Sequence, residues 1–225
     1  MWLASSIRPL RRLAIRVEQR RYQRRVARRG PQSVERVLGL SLWVPESVLN
    51  PALLPTGVLL AEAAVAAPGQ TLLDLGCGTG IVGLAFARSG REAVSSDLNP
   101  AAVRAAQVNA MLNDLALVAR GGDLFEPHRG RRFDLIAFNP PFFERDQGGP
   151  LQMALADGPG LPLFGRFLRE LPEYLNSGGR ALIAGSTNGA LGSMRAHYQA
   201  AGFRHRVVRW SERLAERLVV DELTR

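Results

Sequence analysis

From residue 71 onward, short apolar runs alternate with longer segments in which apolar side chains recur at helical spacing. Such alternation is typical of β-α-β units, whose strands lie parallel and are buried on both faces. The pattern therefore predicts a mostly parallel sheet with helices between its strands. The predicted strands are 71–74, 93–97, 115–119, 133–138 and 180–185, and the helices between them lie near 81–88, 101–112 and 163–175.

The pattern changes near the C-terminus. A helix near 191–201 precedes two β-rich runs, 203–210 and 214–221, which are joined by a short link. Two such runs in succession predict an antiparallel hairpin. The fold class is therefore α/β, with a mostly parallel seven-stranded sheet that ends in a C-terminal antiparallel hairpin.

The first thirty residues have the pattern of a helix. Pro9 suits a helix start, no helix breaker interrupts 10–29, and Gly30-Pro31 supplies a stop. Apolar residues at helical spacing mark one face of the first half, whereas arginine dominates the second half. The predicted parts of the chain are a basic helical arm over 1–36, a loop around 43–55 and one globular domain over 37–225.

Positive charge is concentrated in the arm. The chain has 29 basic residues, all of them arginine, and 20 acidic residues. Residues 1–36 hold 11 of the arginines and two glutamates, a net charge of +9, and the rest of the chain is neutral. A cationic helix can neutralise phosphates, so we expect the arm to contact RNA or the ribosome. A solvated tail and an Arg-rich organelle transit sequence are the alternatives.

The remaining composition limits the class of protein. The chain is 46% hydrophobic, enough for a buried core. No apolar run approaches the roughly 20 residues that span a bilayer, and no secretory signal is evident, so we expect a soluble, cytoplasmic protein with no membrane contact. Cys77 is the single cysteine and the three histidines are scattered. We therefore expect no disulfide and no metal site.

A glycine-rich turn follows the first predicted strand. The turn is Gly76-Cys77-Gly78-Thr79-Gly80, and a helix begins near Ile81. Glycine lets the backbone turn sharply against a ligand, and a helix N-terminus offers free N–H groups. Residues 78–83 satisfy the dinucleotide pattern G-x-G-x-x-G, which leaves a nicotinamide cofactor as one interpretation. Asp74 would repel a pyrophosphate and favours the other, S-adenosylmethionine, whose ammonium group it would pair indirectly.

Two further acids follow later strands. Asp97 ends the second predicted strand, and Asp123 follows the third. Because the carboxyl ends of parallel strands meet at one edge of a sheet, we expect both acids near the glycine-rich turn. The Asp97 carboxylate can accept hydrogen bonds from both hydroxyls of a ribose. For either acid alone, capping of a helix is the alternative role.

The most specific signal follows the fourth predicted strand, where 133–138 ends in Asn139-Pro140-Pro141-Phe142. Two prolines hold the backbone rigid and leave the Pro140 carbonyl out of the sheet. With the Asn139 side-chain oxygen, that carbonyl can accept both hydrogens of one NH₂ group. The nitrogen lone pair would then face a methyl donor, and Phe142 would stack on the planar group. The tetrapeptide predicts methyl transfer to an amide or exocyclic amino nitrogen.

These motifs resemble those of a known group of enzymes. Asp74 to Gly80 resembles motif I of the class I S-adenosylmethionine-dependent methyltransferases, and 45–210 resembles HemK-type protein-glutamine N-methyltransferases and the wider Asn-Pro-Pro-aromatic group of base amino methyltransferases. The resemblance implies a Rossmann-like class I methyltransferase fold. It also implies that Asp123 meets the adenine amino group and that Thr56 contacts the methionine carboxylate, with capping of a helix as the other role for Thr56. The implied cofactor residues are Thr56, Asp74, Gly76, Cys77, Gly78, Gly80, Asp97, Leu98, Asp123, Leu124 and Asn139, and those implied at the acceptor are Asn139, Pro140, Pro141 and Phe142.

Departures from the family concern the acceptor. The N-terminal region is much shorter than the helical domain of bacterial release-factor methyltransferases, and Phe142 stands where glutamine methylation typically has tyrosine. Residues 156–160 resemble the glycine-rich segment that follows the catalytic motif in HemK-type enzymes. We therefore expect an N-methyltransferase whose acceptor is a translation-related macromolecule, either a protein glutamine or an RNA base. The alternatives are a small-molecule N-methyltransferase, a binding module without catalysis and a NAD-dependent oxidoreductase.

Overall fold

The computed structural model describes residues 24, 30, 32–144, 154–213 and 216–225. The helices are α1 (Thr56–Ala66), α2 (Ile81–Ala87), α3 (Pro100–Leu112), α4 (Pro162–Tyr174) and α5 (Leu191–Ala200), with a 3₁₀ turn at Glu126–His128. The strands are β1 (Gln32–Val37), β2 (Leu40–Pro45), β3 (Thr71–Leu75), β4 (Glu92–Asp97), β5 (Val118–Gly121), β6 (Phe133–Phe138), β7 (Leu175–Ser186), β8 (Arg204–Arg213) and β9 (Glu216–Thr224).

One seven-stranded sheet forms the centre of the domain, in the order β5-β4-β3-β6-β7-β9-β8. Strands β3 to β7 run parallel, and β9 is antiparallel to both of its neighbours. The predicted α/β class, mostly parallel sheet and C-terminal hairpin are confirmed. The chain moves outward from β3 to β4 and β5, then returns to the other side of β3 with β6. In open sheets of this kind, the ligand-binding crevice is expected at the carboxyl ends of the strands where the direction changes, here between β4, β3 and β6.

Several element bounds differ from those predicted. The third strand, predicted over 115–119, lies at Val118–Gly121, because Leu115 and Leu117 pack on the core from the preceding loop. Strand β7 begins at Leu175 and not at 180, since it already pairs with Phe133 of β6 there. Both strands of the C-terminal hairpin end three residues beyond their predicted limits.

The largest difference from prediction lies before the sheet, where β1 and β2 form a separate antiparallel hairpin. Its two-residue turn, Leu38-Gly39, has φ angles of 52° and 73°, the positive values that a type I′ turn requires. The predicted arm over 1–36 therefore overlaps β1, and the predicted loop around 43–55 begins within β2. Both bounds are corrected because alternate residues of β2 are buried in the core. Those residues are Leu40, Leu42 and Val44.

The predicted helix over 10–29 lies outside the described residues except at Arg24, which is helical and exposed. No helix among the described ranges is long and apolar enough to cross a membrane.

Two apolar clusters cover the two faces of the sheet, because neighbouring strand residues point to opposite faces. Leu72 and Leu135 belong to the first cluster, which α1, α2 and the β1–β2 hairpin complete. Leu73 and Ile136 belong to the second, which contains the aromatic side chains of α4. Each central strand is therefore buried on both sides and holds its carboxyl end in a fixed position.

Candidate active site

The crevice brings together most of the residues predicted from the sequence. The glycine-rich turn follows β3, Asp97 ends β4, Asp123 follows β5, and Asn139 follows β6. Because β3 pairs with both β4 and β6, the turn lies between Asp97 on one side and Asn139 on the other.

The glycine-rich turn depends on left-handed backbone conformations. Gly76, Gly78 and Gly80 have φ angles of 64°, 55° and 78°, which residues with a Cβ rarely adopt. A Cβ at Gly80 would lie 3.0 Å from the Cβ of Ala106 in α3. The turn therefore needs glycine both for its curvature and for its close approach to α3.

Asp97 joins the end of β4 to the turn. Its Oδ2 accepts a hydrogen bond from the Gly78 N–H at 2.9 Å, and its Oδ1 accepts one from the Asn99 N–H at 2.8 Å. Burial raises the pKa of Asp97, while these N–H donors act to lower it. The next side chain, Leu98, is 63% exposed and gives the crevice an apolar edge.

Asp74 lies beneath the turn and is 2% exposed. Its Oδ2 accepts a hydrogen bond from the Gly83 N–H in the first turn of α2 at 3.0 Å. Burial raises the pKa of Asp74 to about 8, the Gly83 N–H opposes that rise, and the negative charge of Asp97 adds to it. Asp74 therefore holds the first turn of α2, the helix that directly follows the glycine-rich turn.

Cys77 is also buried, and its N–H donates to the Ser96 carbonyl at 3.0 Å. Burial is the main cause that raises the pKa of the Cys77 thiol well above its usual range, and the charges of Asp74 and Asp97 add to it. The thiol stays protonated near neutral pH and is a poor nucleophile.

Asn139 is fixed by a contact with α1. Its Nδ2 donates to Thr56 Oγ1 at 3.3 Å, so its Oδ1 is the atom left for another donor. That Oδ1 is buried and has no hydrogen-bond partner in the described part of the chain. The alternative role for Thr56, capping of α1, is wrong, because Pro55 is the N-cap residue and makes no side-chain cap bond.

Phe142 packs closely against the loop that follows β7. Its ring is mostly buried, and its carbonyl accepts a hydrogen bond from the Ala190 N–H at 2.8 Å. A Cβ at Gly189 would lie 2.4 Å from Phe142 Cδ2. The two prolines before Phe142 are also buried, so the whole tetrapeptide is held against the core.

At the other end of the crevice, Asp123 is paired with a residue that the sequence analysis did not identify. Arg166 of α4 donates from Nη2 to Asp123 Oδ1 at 2.6 Å, and each side chain is about two-fifths exposed. The neighbouring Leu124 has a φ of 44° and is buried in the second apolar cluster. Among the described residues, no group of three or more His, Cys, Asp or Glu side chains could hold a metal ion.

Residues 155–157 hydrogen-bond to Phe143, which directly follows the tetrapeptide. The Phe143 N–H donates to the Leu155 carbonyl, and the Asp157 N–H donates to the Phe143 carbonyl. The Asp157 carboxylate accepts the N–H groups of Leu163 and Phe164, each at 2.9 Å, and so caps the start of α4. Asp157 belongs to the glycine-rich segment 156–160. The sequence showed the resemblance of this segment to HemK-type enzymes, but it did not indicate that Asp157 caps α4.

Comparisons with known proteins find sequences similar to most of this chain. The family model of the methyltransferase small domain matches residues 55–200. A Methanocaldococcus jannaschii protein with the provisional name protein N5-glutamine methyltransferase is 35% identical over 155 residues, which are 66% of this chain and 77% of that protein. The release factor glutamine methyltransferase of Geobacter sulfurreducens is 34% identical over 158 residues, 64% of this chain and 55% of that enzyme.

A solved structure shows the same fold. The 16S rRNA N2 G1207 methyltransferase of T. thermophilus, solved with AdoMet and guanosine, superposes with a TM-score of 0.61 at 22% identity. The match covers 85% of this chain and 50% of that one.

Proposed function

The chain belongs to the methyltransferase small domain family, and from this premise we propose that it moves a methyl group from S-adenosylmethionine to the NH₂ group of an amide or exocyclic amine in a macromolecule of the translation apparatus. The observation that carries the proposal is the buried, unpartnered Oδ1 of Asn139. A buried polar atom without a partner costs free energy, so its retention beside the crevice favours a role in binding an N–H donor.

The crevice suits S-adenosylmethionine. Each Asp97 oxygen already accepts one N–H and keeps a second lone pair, which leaves capacity for the two ribose hydroxyls. The exposed Leu98 offers apolar surface for the adenine ring, and Asp123 Oδ2 remains for its amino group while Oδ1 accepts from Arg166. The family relationship favours this cofactor over a nicotinamide.

The residues of the chain contribute orientation to the reaction. When bound, the cofactor supplies a methyl group on a positive sulfonium, which needs little further activation. The acceptor nitrogen needs more help, because its lone pair is delocalised into an amide or an aromatic ring. Asn139 Oδ1 and the Pro140 carbonyl would each accept one N–H, which directs the lone pair toward the methyl group. The methylated nitrogen would carry a positive charge, which it loses by releasing one of its protons to solvent.

A protein glutamine is the first candidate acceptor. The two relatives described above are named as glutamine methyltransferases, and this chain spans 77% and 55% of their lengths. An RNA base amino group is the second candidate, favoured by the likeness to the rRNA methyltransferase solved with guanosine. We propose the cytoplasm as the place of action, because both kinds of acceptor occur there.

Transfer of labelled methyl groups tests the proposal. Purified protein and tritiated S-adenosylmethionine are added to extract from a strain that lacks the protein, and the labelled product is digested with protease or RNase. Label released by protease alone supports a protein acceptor, and label released by RNase alone supports RNA. Label confined to small molecules would contradict the proposal. So would the absence of any label together with tight binding of NAD, measured by calorimetry.

We also propose that the basic arm contacts RNA or the ribosome. The support is the net charge of +9 over residues 1–31, which precede β1 and hold ten arginines and one glutamate. Replacing the six arginines of its second half by glutamine should weaken binding to ribosomal subunits and flatten its dependence on salt, because fewer counterions are released. Unchanged binding at every salt concentration would overturn this assignment. The six positions are Arg20, Arg21, Arg24, Arg25, Arg28 and Arg29.

A further inference from the structure

Two asparagine side chains fasten the β1–β2 hairpin to α3. Asn109 Oδ1 accepts from the Trp43 N–H at 2.6 Å, and its Nδ2 donates to the Trp43 carbonyl at 3.0 Å. One turn later, Asn113 Oδ1 accepts from the Ser41 N–H at 2.9 Å, and its Nδ2 donates to the Ser41 carbonyl at 2.8 Å. The two amides therefore satisfy alternate residues along the free edge of β2, as a neighbouring strand would.

The two asparagines differ in their remaining hydrogen bond. Asn109 Nδ2 also donates to the Thr79 carbonyl at 2.9 Å, inside the glycine-rich turn. Asn113 Nδ2 donates instead to the Asn109 carbonyl of its own helix, at 2.7 Å. Asn109 is completely buried, so water cannot replace its bonds. Asn109 alone of this pair joins the hairpin to the turn.

A second set of contacts joins the same two parts. Asn99 Nδ2 donates to the Ser47 carbonyl at 3.0 Å, just beyond β2, and the Asn99 N–H donates to Asp97. The Val48 side chain lies 3.7 Å from where a Cβ of Gly78 would be. The segment after β2 thus rests on the turn and on the ribose-binding acid that we propose.

The turn needs such external support. Thr79 lies between two glycines with positive φ, and glycine loses more conformational entropy on ordering than other residues. Because Thr79 is buried, its carbonyl requires a partner.

We propose that Asn109 is a positioning residue for cofactor binding: it holds the Thr79 carbonyl against the Trp43 backbone and makes the β1–β2 hairpin part of the cofactor site. The identity of the ligand rests on the function proposed above. Loss of Asn109 should release the turn in the unliganded protein, and ordering it again then opposes binding.

Calorimetric titration with S-adenosylhomocysteine tests the ligand side of the inference. We expect Asn109→Ala to raise the Kd for S-adenosylhomocysteine about tenfold, which is the effect expected when one buried hydrogen bond is lost. Asn113→Ala is the matched control, because it also loosens the hairpin but leaves the Thr79 contact intact, and its Kd should stay within about twofold of wild type. Asn109→Asp is the second variant, since it keeps the side-chain volume and the bond from the Trp43 N–H and retains at most one of the two donated bonds, through a protonated carboxyl. Equal increases in Kd for Asn109 and Asn113 variants, or none for Asn109, would overturn the inference.

Hydrogen exchange in the unliganded protein supplies a readout that needs no cofactor. The Gly80 and Gly83 amides should exchange faster in Asn109→Ala than in wild type or in Asn113→Ala. Unchanged protection in Asn109→Ala contradicts the role of Asn109 whatever the ligand is. If wild-type protein fails to bind S-adenosylhomocysteine while the exchange difference is present, the proposed function is wrong and the link between hairpin and turn still holds.

Discussion

The Asn139 side chain donates to the Thr56 hydroxyl at 3.3 Å, across 83 residues of sequence. With the amide nitrogen bonded to this hydroxyl, the buried Asn139 oxygen stays available to accept a hydrogen bond from an N–H of the methyl acceptor. A residue at the start of α1 thereby sets the chemistry available at the end of β6.

The first prediction concerns this bond. Thr56→Val keeps the side-chain shape and removes the hydroxyl, so the Asn139 amide can rotate and present either end. We expect kcat/KM for methyl transfer to fall about tenfold, near the value of one hydrogen bond. Thr56→Ser retains a hydroxyl and should stay within about threefold of wild type. Equal rates for the valine and serine variants would show that the bond does not orient Asn139.

The second prediction separates the two partners of the ion pair at the far end of the crevice. Asp123→Asn should raise the Kd for S-adenosylhomocysteine about fivefold, because the proposed adenine contact loses its charged acceptor. Arg166→Gln leaves that carboxylate in place and should change Kd less than about twofold. The midpoint temperature of thermal unfolding should change little in either variant, since half-exposed ion pairs contribute about 0–1 kcal/mol to stability. A larger effect on Kd from Arg166→Gln than from Asp123→Asn would contradict the assignment.

The third prediction concerns His128, which is 1% exposed and packs edge-on against Phe133, with neither ring nitrogen partnered in the described chain. Burial lowers the pKa of His128 to about 4, and the charges of Arg120 and Arg131 add to that shift. The unfolded chain, with a histidine pKa near 6.5, binds this proton more readily than the folded protein. His128 therefore does not reduce the free energy of unfolding above about pH 6.5. Below that pH it reduces the free energy of unfolding progressively, until the pH reaches about 4.

Chemical unfolding of wild type and His128→Leu over pH 4 to 7 measures this contribution. As the pH falls over that range, the free energy of unfolding should fall by up to about 3 kcal/mol more in wild type than in the leucine variant, which lacks the titrating group. Carboxylates titrate in both proteins, so the difference between the two curves isolates the histidine. Parallel curves would show that His128 is not the source.

The fourth prediction concerns the support of Phe142. Gly189→Ala would place a Cβ within 2.4 Å of Phe142 Cδ2 and 2.9 Å of the Phe142 carbonyl oxygen. The clash should cost about 1–3 kcal/mol of stability and lower kcat at least tenfold as the tetrapeptide moves. Gly192→Ala is the control, because nothing lies within 4 Å of its Cβ position near the start of α5. Full activity in Gly189→Ala would mean that the position of Phe142 is not critical.

Much of the fold follows from periodicity alone. Runs such as 133–138 are apolar except at Asp134, which identified the buried parallel strands, and the motifs at their carboxyl ends then lay together by topology. The β1–β2 hairpin was missed because the Leu38-Gly39 turn has leucine where a type I′ turn usually has Asn or Asp. The alternation of Leu40, Leu42 and Val44 was the signal that could have found it.

The contacts that complete the site were beyond sequence reasoning, because they join distant residues. Arg166 meets Asp123 across 43 positions, and Asn109 meets Trp43 across 66. Arginine and asparagine are common on helices for many reasons, so their types alone indicated no partner. The local motif predicted where the chemistry lies, and only the packing of α3 and α4 against the sheet showed what holds it in place.

The proposed reaction depends above all on Asn139 Oδ1, which would hold the NH₂ group that receives the methyl. Single-turnover transfer of labelled methyl groups by Asn139→Ala, measured on the macromolecule labelled by wild type, tests it most directly, with binding of S-adenosylhomocysteine as the check on folding. Transfer should slow at least about a hundredfold, as expected for loss of a preorganised hydrogen-bond acceptor, while Kd for S-adenosylhomocysteine changes no more than about tenfold. Transfer by Asn139→Ala at the wild-type rate would contradict it.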